Sequence, residues 1–197
     1  MNQRVFSFGA STAQGYRDDE KGGFIFRLGE KLADNNLGYV ENLGTGGHTS
    51  DQMASRAEEI AESRDLRDIA IVTLGINDVA RSPDRAPDKR VPLSRHRDNV
   101  ERLLGALHTH CRVIYFTQYP VNHAQHGLDP NLVRQYVDAG HEIARSLGIT
   151  IVDVHSMISE TRYARFIHDD GMHFNAEGHS FIAEQLWGPL SVMISHT

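Results

Sequence analysis

Five short apolar runs dominate the chain: Val5 to Phe8, Tyr39 to Leu43, Ile69 to Leu74, Val113 to Thr117 and Ile149 to Val154. Each stops at a cluster of Gly, Ser, Asn or other polar residues, and helical patterns lie between them. Runs of this length bounded by turn residues read as strands. Strands that alternate with helices form parallel sheets, because a parallel connection needs a crossover long enough to hold a helix. The expected architecture is an α/β sheet covered by helices on both faces. Its polar post-strand clusters gather along the carboxyl edge, where open α/β sheets bind ligands.

The helical segments carry recognisable signals. Ile25, Leu28 and Leu32 share a face of a helix that ends near Asn35 and Asn36. Thr49 or Ser50 caps a helix with Met53, Ala57 and Ile60 on one side. Val100, Leu103, Leu104 and Leu107 mark the next. Asp129 as N-cap and Pro130 at the first helical position open a helix through Tyr136 and Ile143, which Gly148 stops. A last helix is expected from about Asn175 to Trp187, interrupted at Gly188-Pro189.

At 197 residues the chain fits one domain spanning 1–197. Its single cysteine, Cys111, excludes an internal disulfide. The N-terminal residues run straight into a strand with no signal-peptide pattern, so the expected compartment is the cytoplasm. No apolar run approaches the roughly 18 residues that span a bilayer. The formal charge of −6 disfavours a nucleic-acid or anionic-membrane partner. Twelve histidines are many, and most are expected at the surface because they stand singly in polar segments.

The first strand ends at Gly9-Ala10-Ser11-Thr12, so Ser11 occupies the turn at its carboxyl end and is a candidate nucleophile. A plain helix cap at Ser11 or Thr12 is the competing reading. Near the other terminus stands His168-Asp-Asp-Gly-Met-His173. With Asp170 three residues before His173, a turn can bring the carboxylate to the ring Nδ1–H and leave Nε2 to take a proton. Oxyanion donors are available in the Ser11 backbone N–H, the triple-glycine turn Gly44-Thr-Gly-Gly47 and the Asn77 side chain.

Taken together and in this order, the pieces resemble the four sequence blocks of the SGNH hydrolase superfamily, the GDSL esterases and lipases. Gly9-Ala-Ser11 resembles the first block, Asn42-Leu-Gly-Thr-Gly-Gly47 the second, Gly75-Ile-Asn77-Asp78 the third and Asp170-Gly-Met-His173 the fourth. The resemblance implies a flavodoxin-like, three-layer α/β/α fold with a five-stranded parallel sheet in the order 2-1-3-4-5. It also implies Ser11 as nucleophile, His173 as base, Asp170 as its orienting partner, and Ser11, Gly47 and Asn77 as oxyanion donors. Gly47 is preferred to Gly44 or Gly46 because it closes the Asn-x-Gly-x-x-Gly pattern before His48-Thr49. One position departs: the family's Asp before the nucleophile is Ala10 here.

The function so implied is serine-dependent hydrolysis of small acyl or acetyl esters, with a small-molecule ester as partner and no cofactor. The alternatives are a catalytically silent binding protein, suggested by Ala10, and an acyltransferase. A nucleophile elbow of the Gly-x-Ser-x-Gly type is disfavoured because residue 13 is Ala. Metal binding by His168, Asp169, Asp170 and His173 is disfavoured because the spacing matches no ligand pattern. The stretch from Arg81 to Arg97, with Pro83, Pro87 and Pro92 and a surplus of basic residues, reads as a long loop near the pocket mouth that could attract anionic substrates.

Overall fold

The computed structural model describes residues 2–80, 90–158 and 162–196. Its elements follow in the order β1 (Gln3–Gly9), α1 (Ser11–Gln14), α2 (Phe24–Asp34), β2 (Gly38–Asn42), α3 (Ser50–Ala61), β3 (Ile69–Thr73) and α4 (Ile76–Val79). Then come α5 (Leu93–His110), β4 (Arg112–Phe116), α6 (His123–His126), α7 (Pro130–Ser146), β5 (Thr150–Val152), α8 (Val154–Met157), α9 (Tyr163–Phe166) and α10 (Ala176–Ser195). The five strands form one sheet in the order β2-β1-β3-β4-β5, and every pairing is parallel.

Both faces of the sheet are apolar, and the two-residue period divides its side chains between two cores. Val5, Ile69, Ile71, Ile114 and Phe116 face one core with α2, α10 and the first half of α7. Phe6, Phe8, Ala70, Val72, Val113 and Tyr115 face the other with α3 and α5. All five residues of β3 are buried, as its unbroken apolar run predicts. Complete burial of each large side chain contributes about 1.5–3 kcal/mol. The surrounding helices therefore leave little freedom for the central strands to shift register.

The expected caps form. Thr49 and Gln52 make a reciprocal capping box at the start of α3, and Asp129 accepts from the Asn131 N–H ahead of Pro130. The last helix differs from expectation, since α10 continues through Pro189 to Ser195. A proline inside a helix removes one hydrogen bond and crowds the preceding turn. Here the apolar face goes on beyond it: Leu190 is fully buried, and Met193 and Ile194 pack against the same core. The Arg112 guanidinium also donates to the Met193 carbonyl at 2.6 Å. The fifth strand is shorter than expected, because Asp153 leaves the sheet to cap α8 and accepts from the Ser156 N–H.

Candidate active site

The strand order reverses at β1, whose neighbours are β2 on one side and β3 on the other. The connections leaving β1 and β3 run to opposite faces there, at the position where open α/β sheets place their ligands. Ser11 follows β1 and Asn77 follows β3, and Gly9 is paired in register with Thr73. Ser11 is the first residue of α1, with Ala10 in the capping position making no side-chain cap bond. Capping is therefore not the role of the Ser11 hydroxyl.

The glycine turn packs directly on α1. A Cβ at Gly44 would collide with the backbone of Gln14, and one at Gly46 would stand 4.0 Å from the Ser11 Cβ. The Gly44 N–H donates to Asn42 Oδ1 at 3.0 Å, and the Gly46 N–H donates to Gln14 Oε1 at 2.9 Å. The Gly44 and Gly46 amides thus help to hold the turn. Gly47 stands at φ 76°, a conformation that favours glycine. The Asn77 side-chain nitrogen donates to the His48 carbonyl at 2.9 Å, tying the third sequence block to the residue after Gly47.

The turn before α10 organises Asp170 and His173. Asp170 Oδ1 accepts from the Met172 and His173 backbone N–H groups, each at 3.0 Å, while Oδ2 lies 2.9 Å from His173 Nδ1. The partner of His173 is Asp170, and the neighbouring Asp169 is exposed. Burial by itself would raise the Asp170 pKa. The backbone N–H groups of His173 and Met172, with the His173 ring, outweigh it and hold the carboxyl well below the usual range. The carboxylate is therefore charged throughout the neutral range and accepts the Nδ1 proton.

Three contacts join this turn to α1 and the residues just after it. The Thr12 hydroxyl lies 3.0 Å from the Tyr119 oxygen, and the Tyr119 hydroxyl donates to the Met172 carbonyl at 3.0 Å. The Tyr16 N–H donates to the Ser11 carbonyl at 3.0 Å, and the Tyr16 ring meets the His173 ring edge-on at 4.7 Å. Arg17 Nε donates to Asp170 Oδ2 at 3.3 Å, and the Arg17 guanidinium lies over the Tyr16 ring at 4.8 Å. The sequence reading missed Thr12, Tyr16, Arg17 and Tyr119. Tyr16 and Arg17 lie within six residues of Ser11, but only the folded chain brings them to residues 170–173.

The expected loop from Arg81 to Arg97 is partly corrected. Residues 81–89 lie outside the described residues, and 93–97 form the first turns of α5. Arg95 is paired with Asp51 at 2.7 Å and Arg97 with Glu142 at 3.0 Å, so both charges have local partners. Among the described residues no cluster of three or more His, Cys, Asp or Glu side chains is arranged to hold a metal ion. No helix among them is long and apolar enough to cross a membrane.

This sheet order, with the four sequence blocks at the carboxyl ends of β1, β2 and β3 and ahead of α10, defines an SGNH-type α/β fold. The chain belongs to the GDSL-like lipase/acylhydrolase family, whose model matches residues 7–181. The GDSL esterase/lipase CPRD49 of Arabidopsis thaliana is 26% identical over 154 residues, covering 68% of this chain. The match spans 60% of that relative's length. Among solved structures, a lipase/acylhydrolase from Enterococcus faecalis superposes with a TM-score of 0.77 at 19% identity, covering 93% of each chain. Axe2, an acetylxylan esterase from Geobacillus stearothermophilus, superposes with a TM-score of 0.75 at 21% identity, covering 93% of this chain and 92% of its own.

Proposed function

We propose that this chain is a serine carboxylic-ester hydrolase acting on esters of small acyl groups, acetyl among them. The observation that carries this reading is the Asp170–His173 pair. Its 2.9 Å contact at Nδ1 leaves Nε2 as the nitrogen that exchanges protons, on a turn tied to α1 through Tyr119. Family membership, and the acetyl chemistry in the name of the structurally similar Axe2, support the substrate class.

In the proposed mechanism His173 Nε2 takes the Ser11 hydroxyl proton as the oxygen attacks the ester carbonyl. The Ser11 and Gly47 backbone N–H groups and the Asn77 amide stabilise the oxyanion that forms. The imidazolium, stabilised by Asp170, gives its proton to the departing alkoxide, and a tetrahedral intermediate collapses to an acyl-serine. Water, deprotonated by His173, then attacks the acyl carbon, and the acid leaves as Ser11 regains its proton. An acyltransferase would differ only in using a second alcohol at this step.

Ala10 stands at the helix cap and outside this proton path, so its replacement of the family's Asp removes no participant in the chemistry. Hydrolysis of p-nitrophenyl esters of graded acyl length and of acetylated sugars tests the proposal. Ser11→Ala and His173→Ala should each abolish nearly all turnover without loss of fold, because nucleophile and base act as a unit. A phosphonate ester should label Ser11, and an adduct on another serine overturns the assignment.

A further inference from the structure

Asp78 and His96 form a pair that the proposed chemistry does not use. Both side chains are 1% exposed, and Asp78 Oδ2 lies 2.5 Å from His96 Nδ1. A carboxylate only accepts, so Nδ1 carries the proton in this contact. The other Asp78 oxygen accepts the Ser50 N–H at 2.8 Å. Asp78 follows Asn77 directly, and Ser50 lies three residues beyond Gly47.

Two bonds therefore cross between the glycine turn and α4: Asn77 Nδ2 to the His48 carbonyl, and the Ser50 N–H to Asp78 Oδ1. His96 fixes the second from behind. It stands on α5, which packs against α3, and its ring rests against Tyr136 of α7 at 4.8 Å. One turn along the same helix Asn99 donates to Ser50 Oγ at 3.0 Å and to Asp51 Oδ1 at 2.7 Å. The Tyr136 hydroxyl donates to the Val91 carbonyl at 2.6 Å, which anchors the chain just before α5.

Apolar residues of similar volume usually support a core as well as a buried polar pair does. What an apolar pair lacks is direction: it cannot hold the Asp78 carboxylate at a set angle to the Ser50 N–H. We infer that His96 is a positioning residue for ester hydrolysis, acting through Asp78 to set the separation of the Gly47 and Asn77 oxyanion donors. This inference rests on the proposed role of those two donors. Misplacing reacting groups by about 1 Å costs on the order of 10²-fold in rate.

The test compares wild type, His96→Phe, which keeps a ring against Tyr136, and His96→Asn, whose amide nitrogen can occupy the place of Nδ1. Active sites are counted by phosphonate titration, so that kcat refers to folded, competent enzyme. His96→Phe should lower kcat about 10-fold to 100-fold while KM changes less than about threefold, and His96→Asn should recover most of the loss. In an Asn77→Ala background the His96→Phe loss should shrink to less than about threefold, because both changes act on the same stabilisation. An unchanged kcat per titrated site, or full additivity with Asn77→Ala, overturns the inference. Should His96→Phe fail to fold, Asp78→Asn serves instead: it retains an acceptor for the Ser50 N–H and loses the charge that His96 orients. A kcat loss at constant KM supports the inference, and an unchanged kcat overturns it. Failure of the underlying functional reading shows separately, as full activity in Ser11→Ala.

Discussion

His179 provides a quantitative test of how the core is built. It lies in the first turn of α10 with no exposed surface, between the rings of Phe24 and Phe174. Nδ1 accepts the Phe24 N–H at 3.3 Å, so the ring proton resides on Nε2, which faces the Tyr16 carbonyl at 3.4 Å. Burial is the main cause that pushes its pKa down from 6.5 to about 4. Asp18 and the Tyr16 carbonyl act in the opposite sense, and Arg27 and His173 add to the depression. Between those two values the unfolded chain binds the proton more readily than the folded one. The stabilisation from keeping His179 neutral is therefore complete above about pH 7 and declines as pH falls, levelling off near pH 4. At about 1.4 kcal/mol for each tenfold change in proton affinity, the full effect is roughly 3 kcal/mol. About 2 kcal/mol of it is lost between pH 7 and pH 5. For a chain of this size that corresponds to a fall in Tm of about 4–8 °C. The assay is thermal unfolding by circular dichroism at pH 7 and pH 5, for wild type and His179→Asn. The variant keeps an acceptor near Nδ1 but cannot titrate. It should be less stable at both pH values and lose less Tm on acidification, by about the stated amount. Parallel Tm losses in the two proteins, or an NMR titration of His179 centred near 6.5, would refute the reasoning.

Asn77→Ala should lower kcat by about 10²-fold to 10³-fold with little change in KM, as for a donor whose bond strengthens while charge develops. Asp170→Asn should lower kcat by up to about 10⁴-fold by favouring the wrong His173 tautomer. Asp169→Asn should leave the rate nearly unchanged, and the reverse pattern in steady-state kinetics would redraw the triad. Thr49→Ala removes half of the capping box on α3 and should cost about 1 kcal/mol, read as a lower midpoint in urea unfolding. The Cys111 thiol is buried and pushed up to about 12, so it should resist a disulfide reagent in the native protein and react on unfolding.

Local rules carried much of the fold. The apolar runs located all five strands within two residues, most sharply β3, since a fully buried parallel strand must be apolar on both faces. Cap signals placed the starts of α3 and α7 because capping is a bond between residues two or three apart. The same local reasoning stopped the last helix at Pro189, where burial of Leu190 and the packing of Met193 and Ile194 carried it onward. It also extended a loop into α5, whose first turns are basic but form ion pairs with distant Asp51 and Glu142.

The sequence by itself determined the alternation of strands and helices. It also determined the Asp170–His173 spacing, which like that alternation depends on neighbours within a few positions, and it carries the four polar blocks in their order along the chain. Strand order followed from resemblance to a family, because periodicity assigns a residue to a face and says nothing about which strand lies beside it. Tertiary structure alone decided which polar groups are buried. His96 and His179 stand in polar stretches like the other histidines, yet both are closed off from water. Their partners, Asp78 at a distance of 18 positions and Phe24 at 155, come within hydrogen-bonding reach only when the helices pack. A hydrogen bond depends on distance in space, which the sequence encodes only through the packing of the whole sheet.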